Sequence, residues 1–445
     1  MLCLLSVSLF AQGATATDTP AEGTLARELF GDDFGRHSGL LLDGYLQMGF
    51  VRNDASRSVD RAAGLSNYPI AQANDENFIF NAIELFFHRD IGGNIVPKTP
   101  PRPAPAADSF SWGFMVEGLY GRNGQGARSF GFDSSLVINH PGDQNPAEAK
   151  ATRQNFAALP NFFAQLAIPY WQGMALTLGR FGPGLSYEIP VQTKASNNFF
   201  YSRTYAFVAN PDQVTGVLLS ANLARGQAGL WLGEIGLVNG WQNWEDNNSE
   251  KTILAALRWR SADAKTVANI GLISGDEENR PGSSPQLPNN RVLSPRGQLK
   301  RHVELNASHV EGPWKFAGEI LWGKQDGDGQ KDTILLGPGG GPGFQGAHYS
   351  GANFSTSYQV TPKWAIGGRA EYFRDRDGFA LYPTSSVKGD FSAVTFGAHY
   401  QPDKFVLFRP EIRFDWLTDA NGAKIFGDGR KSNQAMAAVD ALIYF

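Results

Sequence analysis

Residues 182–214 bring together Tyr187, Glu188, Lys194, Asn197, Asn198, Tyr201, Arg203 and Asp212 within a stretch rich in aromatic rings. Held in a narrow, low-dielectric passage, such carboxylates, amides and cations would focus the local field and set an ion preference. On an open surface loop, Arg203 and Glu188 would instead be solvated or paired and have no such effect. A second set of charges recurs at every other position of later segments: Arg258 and Arg260, Glu319, Arg369 and Glu371, then Arg409, Glu411, Arg413 and Asp415. These could form a basic ladder opposing an acidic loop, or cross-strand ion pairs that stiffen a wall.

Other constellations carry less. Hydrolysis would need a Ser or Asp activated by His and held by a third group. The seven histidines are scattered, and neither His302 with Glu304 nor His399 has a serine at a recognisable spacing. No enzyme is expected. Gln325-Asp326-Gly327-Asp328-Gly329 resembles the opening of a calcium loop but lacks the bidentate Glu at the required offset, so it reads as an acidic turn. The glycine run at 337–343 has no following Lys-Ser/Thr and so makes no phosphate cradle. The single cysteine, Cys3, lies in the N-terminal leader, which removes disulfides and cysteine-held metals from the mature chain. No cofactor and no metal are expected. A net charge of −4 over 445 residues gives no nucleic-acid footprint.

The elements that must position these charges follow from alternation. In 110–122, Phe110, Trp112, Phe114, Val116 and Tyr120 share one face, and Ser111, Glu117 and Gly121 the other. In 314–324, Trp314, Phe316, Ile320 and Trp322 oppose Lys315, Ala317 and Glu319. In 364–373, Trp364, Ile366, Ala370 and Tyr372 oppose Arg369 and Glu371. In 407–416, Phe408, Ile412, Phe414 and Trp416 oppose the four charges already named. Successive side chains of a strand point to opposite faces, so each segment has one apolar and one polar face. With 12% aromatic residues, only 18% charged and a mean hydropathy of −0.28, the chain carries many rings without an overall apolar character. No apolar run approaches the roughly 18 residues that a membrane helix needs.

The gaps between strands sort by length. They are long at 181–215, short at 223–229, long at 239–252, short at 260–266 and long at 275–300. They continue short at 310–314, long at 324–347, short at 359–363, medium at 376–390, short at 400–404 and long at 416–433. Transmembrane β-barrels have this asymmetry, with tight periplasmic turns and longer outer loops. The reading is therefore all-β: a closed antiparallel transmembrane barrel of about sixteen strands (14–18) over 40–445, because lipid tolerates no unpaired sheet edge. An Arg facing lipid near the midplane would cost roughly 2–4 kcal/mol, so the alternating charges are expected to face the lumen. Pro410 lacks a ladder donor and predicts a local bulge. The proline-rich stretch at 91–109 is the exception, a long gap on the side of the short turns.

Residues 1–16 read as a signal peptide, with an apolar run over 2–11 and Ala14-Thr15-Ala16 suited to signal peptidase, although no basic residue precedes the run. Residues 17–39 read as a periplasmic lead in which Leu25, Leu29 and Phe30 are spaced for a short amphipathic helix. The last strand, 434–445, alternates and ends on Phe445, the terminal aromatic expected to serve barrel assembly.

Gly179-Arg180-Phe181, Tyr187-Glu188 and Asn197-Asn198-Phe199-Phe200-Tyr201-Ser202-Arg203 resemble the OmpL-like β-barrel porin family of Gram-negative outer membranes. So do Thr215-Gly216-Val217, Asn239-Gly240-Trp241, Asp246-Asn247-Asn248 with Lys251, Arg369-Ala370-Glu371-Tyr372 with Asp375 and Gly378, Arg409-Pro410-Glu411-Ile412-Arg413, and Asp440. The likeness runs from about Leu40 onward. Gln242 departs from it, standing where an acidic residue often follows Asn-Gly-Trp. The resemblance implies an outer-membrane pore for passive diffusion of small hydrophilic solutes or ions, without fixing the solute. In sixteen-stranded porins the third long outer gap folds inward and narrows the channel, and here that gap is 182–214. By the same analogy the partners are the lipid bilayer and lipopolysaccharide, the barrel-assembly machinery, and two further copies in a homotrimer. The rival expectation is a filled, non-conducting structural or adhesion barrel.

Overall fold

The computed structural model describes residues 29–31, 38–54, 78–91, 109–129, 131–133, 156–188, 198–246, 248, 250–277, 298–327, 346–381, 387–418, 422, 424–427 and 430–445. The signal peptide, most of the 17–39 lead, the interior of the proline-rich gap, the 337–343 glycine run, Lys194 and Asn197 lie outside these residues.

Period-two alternation gives β1 (Leu40–Asn53), β2 (Phe78–Arg89), β3 (Ser111–Gly121), β4 (Phe156–Ala158), β5 (Phe162–Ile168), β6 (Met174–Phe181), β7 (Val214–Gly226), β8 (Gly229–Val238) and β9 (Thr252–Arg260). It continues with β10 (Thr266–Glu277), β11 (Gln298–Glu311), β12 (Trp314–Asp326), β13 (Gly346–Thr361), β14 (Trp364–Asp375), β15 (Gly389–Asp403), β16 (Val406–Thr418) and β17 (Asn433–Tyr444). β4 and β5 both pair with β3 and make one wall position between them. The break falls at Pro160, which has no N–H for the ladder. Asn161 bridges it, its carbonyl accepting the Glu117 amide at 2.8 Å. Counted this way, the barrel has sixteen strands, every neighbour antiparallel.

β1 closes the barrel on β17, from Tyr45 opposite Tyr444 to Asn53 opposite Met436. Gly44 and Phe445 exchange backbone hydrogen bonds at 2.9 and 3.0 Å, so the terminal residue seals the seam. Closure leaves no edge whose N–H and C=O groups would face hydrocarbon.

Burial is inverted relative to a soluble sheet protein. Ile235, Leu237, Ile320, Phe354, Ile366, Phe396 and Ile412 are exposed, while Arg180, Arg258, Arg409, Arg413, Glu304 and Asp415 are buried. The apolar parity faces outward and the polar parity inward, as lipid outside and a lumen within require. Two-residue turns at 227–228, 312–313, 362–363 and 404–405, and five-residue turns at 169–173 and 261–265, stand at one end, with both barrel termini. Rings pack on the outer surface there: Trp314 tilted against Tyr358 at 4.7 Å and Trp364 stacked on Tyr400 at 4.4 Å between centroids. Aromatic belts of this kind mark a membrane interface.

The bulge expected at Pro410 is absent. Pro410 pairs normally with Val439 of β17. Toward β15 the ladder skips two residues of each strand and resumes at Tyr400 opposite Phe408, in the register set by Gly397 opposite Glu411. The missing donor interrupts pairing without adding a residue, and the register shift comes nearer the turn, between Tyr400 and Asp403.

Candidate functional site

Beyond Phe181 the chain leaves the wall, and its described stretches 182–188 and 198–213 meet lumen-facing side chains. In the first stretch, Arg258 donates to the Gly184 carbonyl at 2.9 Å and Asn306 to that of Leu185 at 2.7 Å. Ser186 Oγ and the Tyr187 amide both donate to Glu319, at 2.8 and 2.6 Å. In the second, Arg409 donates to the Asn198 carbonyl at 2.8 Å, Arg369 to that of Ser202 at 3.0 Å and Arg413 to that of Arg203 at 3.2 Å. Glu411 accepts the amides of Tyr201 and Ser202 at 2.9 and 3.2 Å, and Glu371 that of Tyr205 at 2.7 Å. Backbone groups removed from water need partners. Here wall carboxylates receive the N–H groups and wall guanidiniums supply the carbonyls.

Glu188 ties the stretches together. One of its oxygens pairs with Arg369 at 2.8 Å, and the other accepts the amide of Thr204 at 2.8 Å and its hydroxyl at 3.1 Å. Thr204 in turn caps the helical turn Tyr205–Val208, accepting the Phe207 amide at 3.0 Å. Two wall glycines seat aromatic side chains of the segment. A Cβ on Gly49 would lie 2.6 Å from the Tyr201 hydroxyl, and one on Gly367 would lie 2.6 Å from the Phe199 ring.

The basic ladder expected to oppose an acidic loop is organised differently. The wall cations are matched mainly by wall carboxylates. Arg258 aims two nitrogens at one oxygen of Glu234, at 2.9 and 2.8 Å, and Arg409 makes a forked pair with both oxygens of Asp440 at 2.9 and 2.5 Å. Arg413 contacts Asp415 on its own strand at 2.8 Å and reaches across β15 to Glu371 at 2.6 Å. Ala393 stands between Glu371 and Asp415 in register, and its small side chain leaves that reach open. Arg260 is half-buried at the short-turn end of β9, apart from this network.

Arg203 is the exception within the segment. It is 5% exposed and donates to the carbonyls of Phe200 and Tyr201 at 3.2 and 3.5 Å. It makes no ion pair, and its Nε and Nη2 find no hydrogen-bond partner among the described residues. Burial lowers its pKa to about 10, with Glu188 opposing and Arg409 reinforcing the shift, so it stays cationic at neutral pH. Burial and nearby carboxylates push the phenols of Tyr187 and Tyr201 up, which keeps both neutral.

Tyr187, Glu188, Asn198, Tyr201 and Arg203 thus converge with Glu319, Arg369, Glu371, Arg409, Glu411, Arg413 and Asp415, while Phe445 sits apart at the seam. The histidines weighed for hydrolysis act as braces. His302 bonds Tyr349 at 3.0 Å and Glu304 at 3.2 Å, and His399 bonds the Phe199 carbonyl at 2.6 Å with its ring stacked on Phe199. Among the described residues no cluster of three or more His, Cys, Asp or Glu could hold a metal.

Sequence reasoning missed the neutral staples Ser186, Ser202, Thr204 and Asn210, whose types carry no periodic signal. It noticed Gln242 only as a departure. Its amide nitrogen donates to the carbonyls of Gly126 at 2.7 Å and Arg128 at 3.1 Å, while its oxygen accepts the Asp212 amide at 3.3 Å. A carboxylate could serve only the last of these. Gln242 makes these bonds with φ at 64°, a left-handed conformation. Beside the segment, an open cavity of about 520 Å³ lies against β12, β13 and β14.

The family described as "Putative beta-barrel porin-2, OmpL-like" matches residues 39–445. The chain belongs to this family. No curated protein matches it in sequence. Among solved structures, the porin is similar to the anion-selective porin of Comamonas acidovorans, with 13% identity, 91% of this chain and 99% of that chain covered, and a TM-score of 0.51. It is similar to OprB of Pseudomonas putida, at 11% identity, 94% and 97% coverage and a TM-score of 0.51. It also resembles the trimer form of OmpT, an outer-membrane protein of Vibrio cholerae, at 11% identity, 91% and 99% coverage and a TM-score of 0.50. At these identities the likeness is one of fold. Family and fold together place the porin in the outer membrane.

Proposed function

We propose that the porin lets small hydrophilic solutes and ions diffuse passively through its lumen, and that 182–214 folds inward as the constriction. The observation that carries this reading is the stapling of both described stretches to lumen-facing charges, with Glu188 joining them to Arg369. Stretches fixed at this many backbone groups would narrow the barrel without acting as a mobile lid. The cavity beside it favours an incompletely filled lumen over a closed structural barrel.

Charge at the constriction, from Arg203 and Glu188 among the described residues and Lys194 beyond them, would tune which ions pass. The short turns face the periplasm in this reading, the chain is exported behind residues 1–16, and Phe445 is read by the assembly machinery. A homotrimer fits the trimer form of the Vibrio cholerae relative. The braced roles of His302 and His399 support a non-enzymatic barrel.

Purified porin in a planar bilayer should open ohmic channels, and deleting 17–39 should leave them open. Folded barrels that conduct nothing with or without that lead would overturn the reading. Conduction appearing only after the deletion would establish the filled barrel instead.

A further inference from the structure

The wall charges around the segment are largely matched, which makes the unmatched ones conspicuous. Lys315 lines the cavity two residues inside the 312–313 turn, on the inward parity of β12. It makes no ion pair and no side-chain hydrogen bond with any described residue. Its ammonium lies 5.9 Å from the centre of the Tyr187 ring, a distant cation–π contact. The other charged groups lining the cavity, Arg369 and Glu188, neutralise each other at 2.8 Å. The described lining therefore carries one excess positive charge. Arg203, also without an ion pair among the described residues, lies next to Thr204 of that lining and adds to the same sign.

The uncharged lining is equally specific. Ser357 stands opposite Lys315 in the β12–β13 ladder and Ser355 opposite Ala317. Neither hydroxyl bonds another described side chain. Ala317 projects little, which leaves space between the two serines and the segment. The ring of Phe199, with that of Tyr187, supplies apolar surface to the cavity.

We propose that this cavity is a docking subsite for small hydroxylated carboxylates, with Lys315 taking the carboxylate and Ser355 and Ser357 exchanging hydrogen bonds with the hydroxyls. The subsite rests on the porin reading and gives that pore a substrate class. A lone ammonium attracts any small anion, whereas paired hydroxyls beside rings distinguish a polyol acid from acetate. Binding in an open, partly hydrated niche is weak enough to release the solute, as conduction requires.

The test is chloride current through wild-type porin in a planar bilayer, with sodium gluconate, sodium acetate or glucose added. Gluconate should reduce the current at several-fold lower concentration than acetate or glucose. Lys315→Gln should abolish the difference between gluconate and glucose, and Lys315→Glu should shift the reversal potential in a KCl gradient toward cations. The double variant Ser355→Ala with Ser357→Ala should keep the wild-type reversal potential while its gluconate block falls to that of acetate. Heat-modified gel mobility of each variant separates lost folding from lost binding, and Lys315→Gln, which keeps most of the side chain's length, carries the test should Lys315→Glu fail to fold. Open channels in which gluconate and glucose act alike, or in which Lys315→Gln changes nothing, would overturn the subsite alone. Folded protein without channels would overturn the pore and the subsite together.

Discussion

Two neighbouring parts of the lumen wall contrast. On β14, β16 and β17 the charges of Arg369, Glu371, Arg409, Arg413, Asp415 and Asp440 are consumed by one another and by the backbone of 198–205. On β12 and β13, the latter adjoining β14, Lys315, Ser355 and Ser357 meet the cavity with no described side-chain partner for their polar groups. The same alternation placed both sets inward. The difference lies in partners: a matched buried charge fixes structure, and an unmatched one beside open space is available to solutes.

The largest effect should come from breaking the matched side. Arg413→Gln takes their nearest guanidinium from the buried Glu371 and Asp415 and removes the donor to the Arg203 carbonyl, at an expected cost of about 3–5 kcal/mol. The urea midpoint in detergent should fall, and the channel should become noisier as 198–205 loosens. An unchanged midpoint would mean the pairs contribute nothing. Gly367→Val comes next. Its side chain would intrude on the Phe199 ring, and overpacking typically costs about 1–3 kcal/mol. Gly368→Val, on the outward parity with nothing closer than 3.7 Å, should be milder. Equal losses at both positions would deny Gly367 its role as a seat.

Gln242→Glu leaves the carbonyls of Gly126 and Arg128 without their donor and faces them with a carboxylate, for about 1–3 kcal/mol. Gln242→Asn, shorter but still an amide donor, checks whether chemistry or reach matters, and rescue by Asn would favour chemistry. The smallest stability effect is expected at Arg203. Burial holds its pKa below the ordinary guanidinium value, so folding disfavours its charge, and no ion pair among the described residues is lost with it. By linkage its unfolded form binds the proton more tightly, so this group's contribution to stability rises as pH climbs above about 10. Arg203→Gln should therefore shift the midpoint little, in contrast to Arg413→Gln, while moving the reversal potential toward cations. A loss as large as that of Arg413→Gln would place Arg203 among the matched charges.

Much of this contrast was hidden in the sequence. Strand existence and the inward parity of Arg258, Arg369, Glu411 and Arg413 were legible, because lipid on one face and polar space on the other impose period two locally. Partner choice was not. Arg413 reaches Glu371 only because register sets Glu371 across β15 from Asp415, two residues along from Arg413, with the small Ala393 between, and nothing within either strand encodes that. Pro410 likewise signalled a bulge, yet register on both sides of the interruption is held by the rest of the ladder. Lys315 looked like any other inward residue of 314–324. Only the closed barrel revealed that Arg369 has Glu188 and Lys315 has no such partner among the described residues.

The sequence by itself determined an all-β barrel and the inward facing of its charges, since the solvent on each face acts on single residues at fixed spacing. The tertiary structure decided which charges cancel, which glycines receive rings and which cation is left beside open space. Those outcomes depend on the distance between residues far apart in the chain, and closure and register alone set that distance.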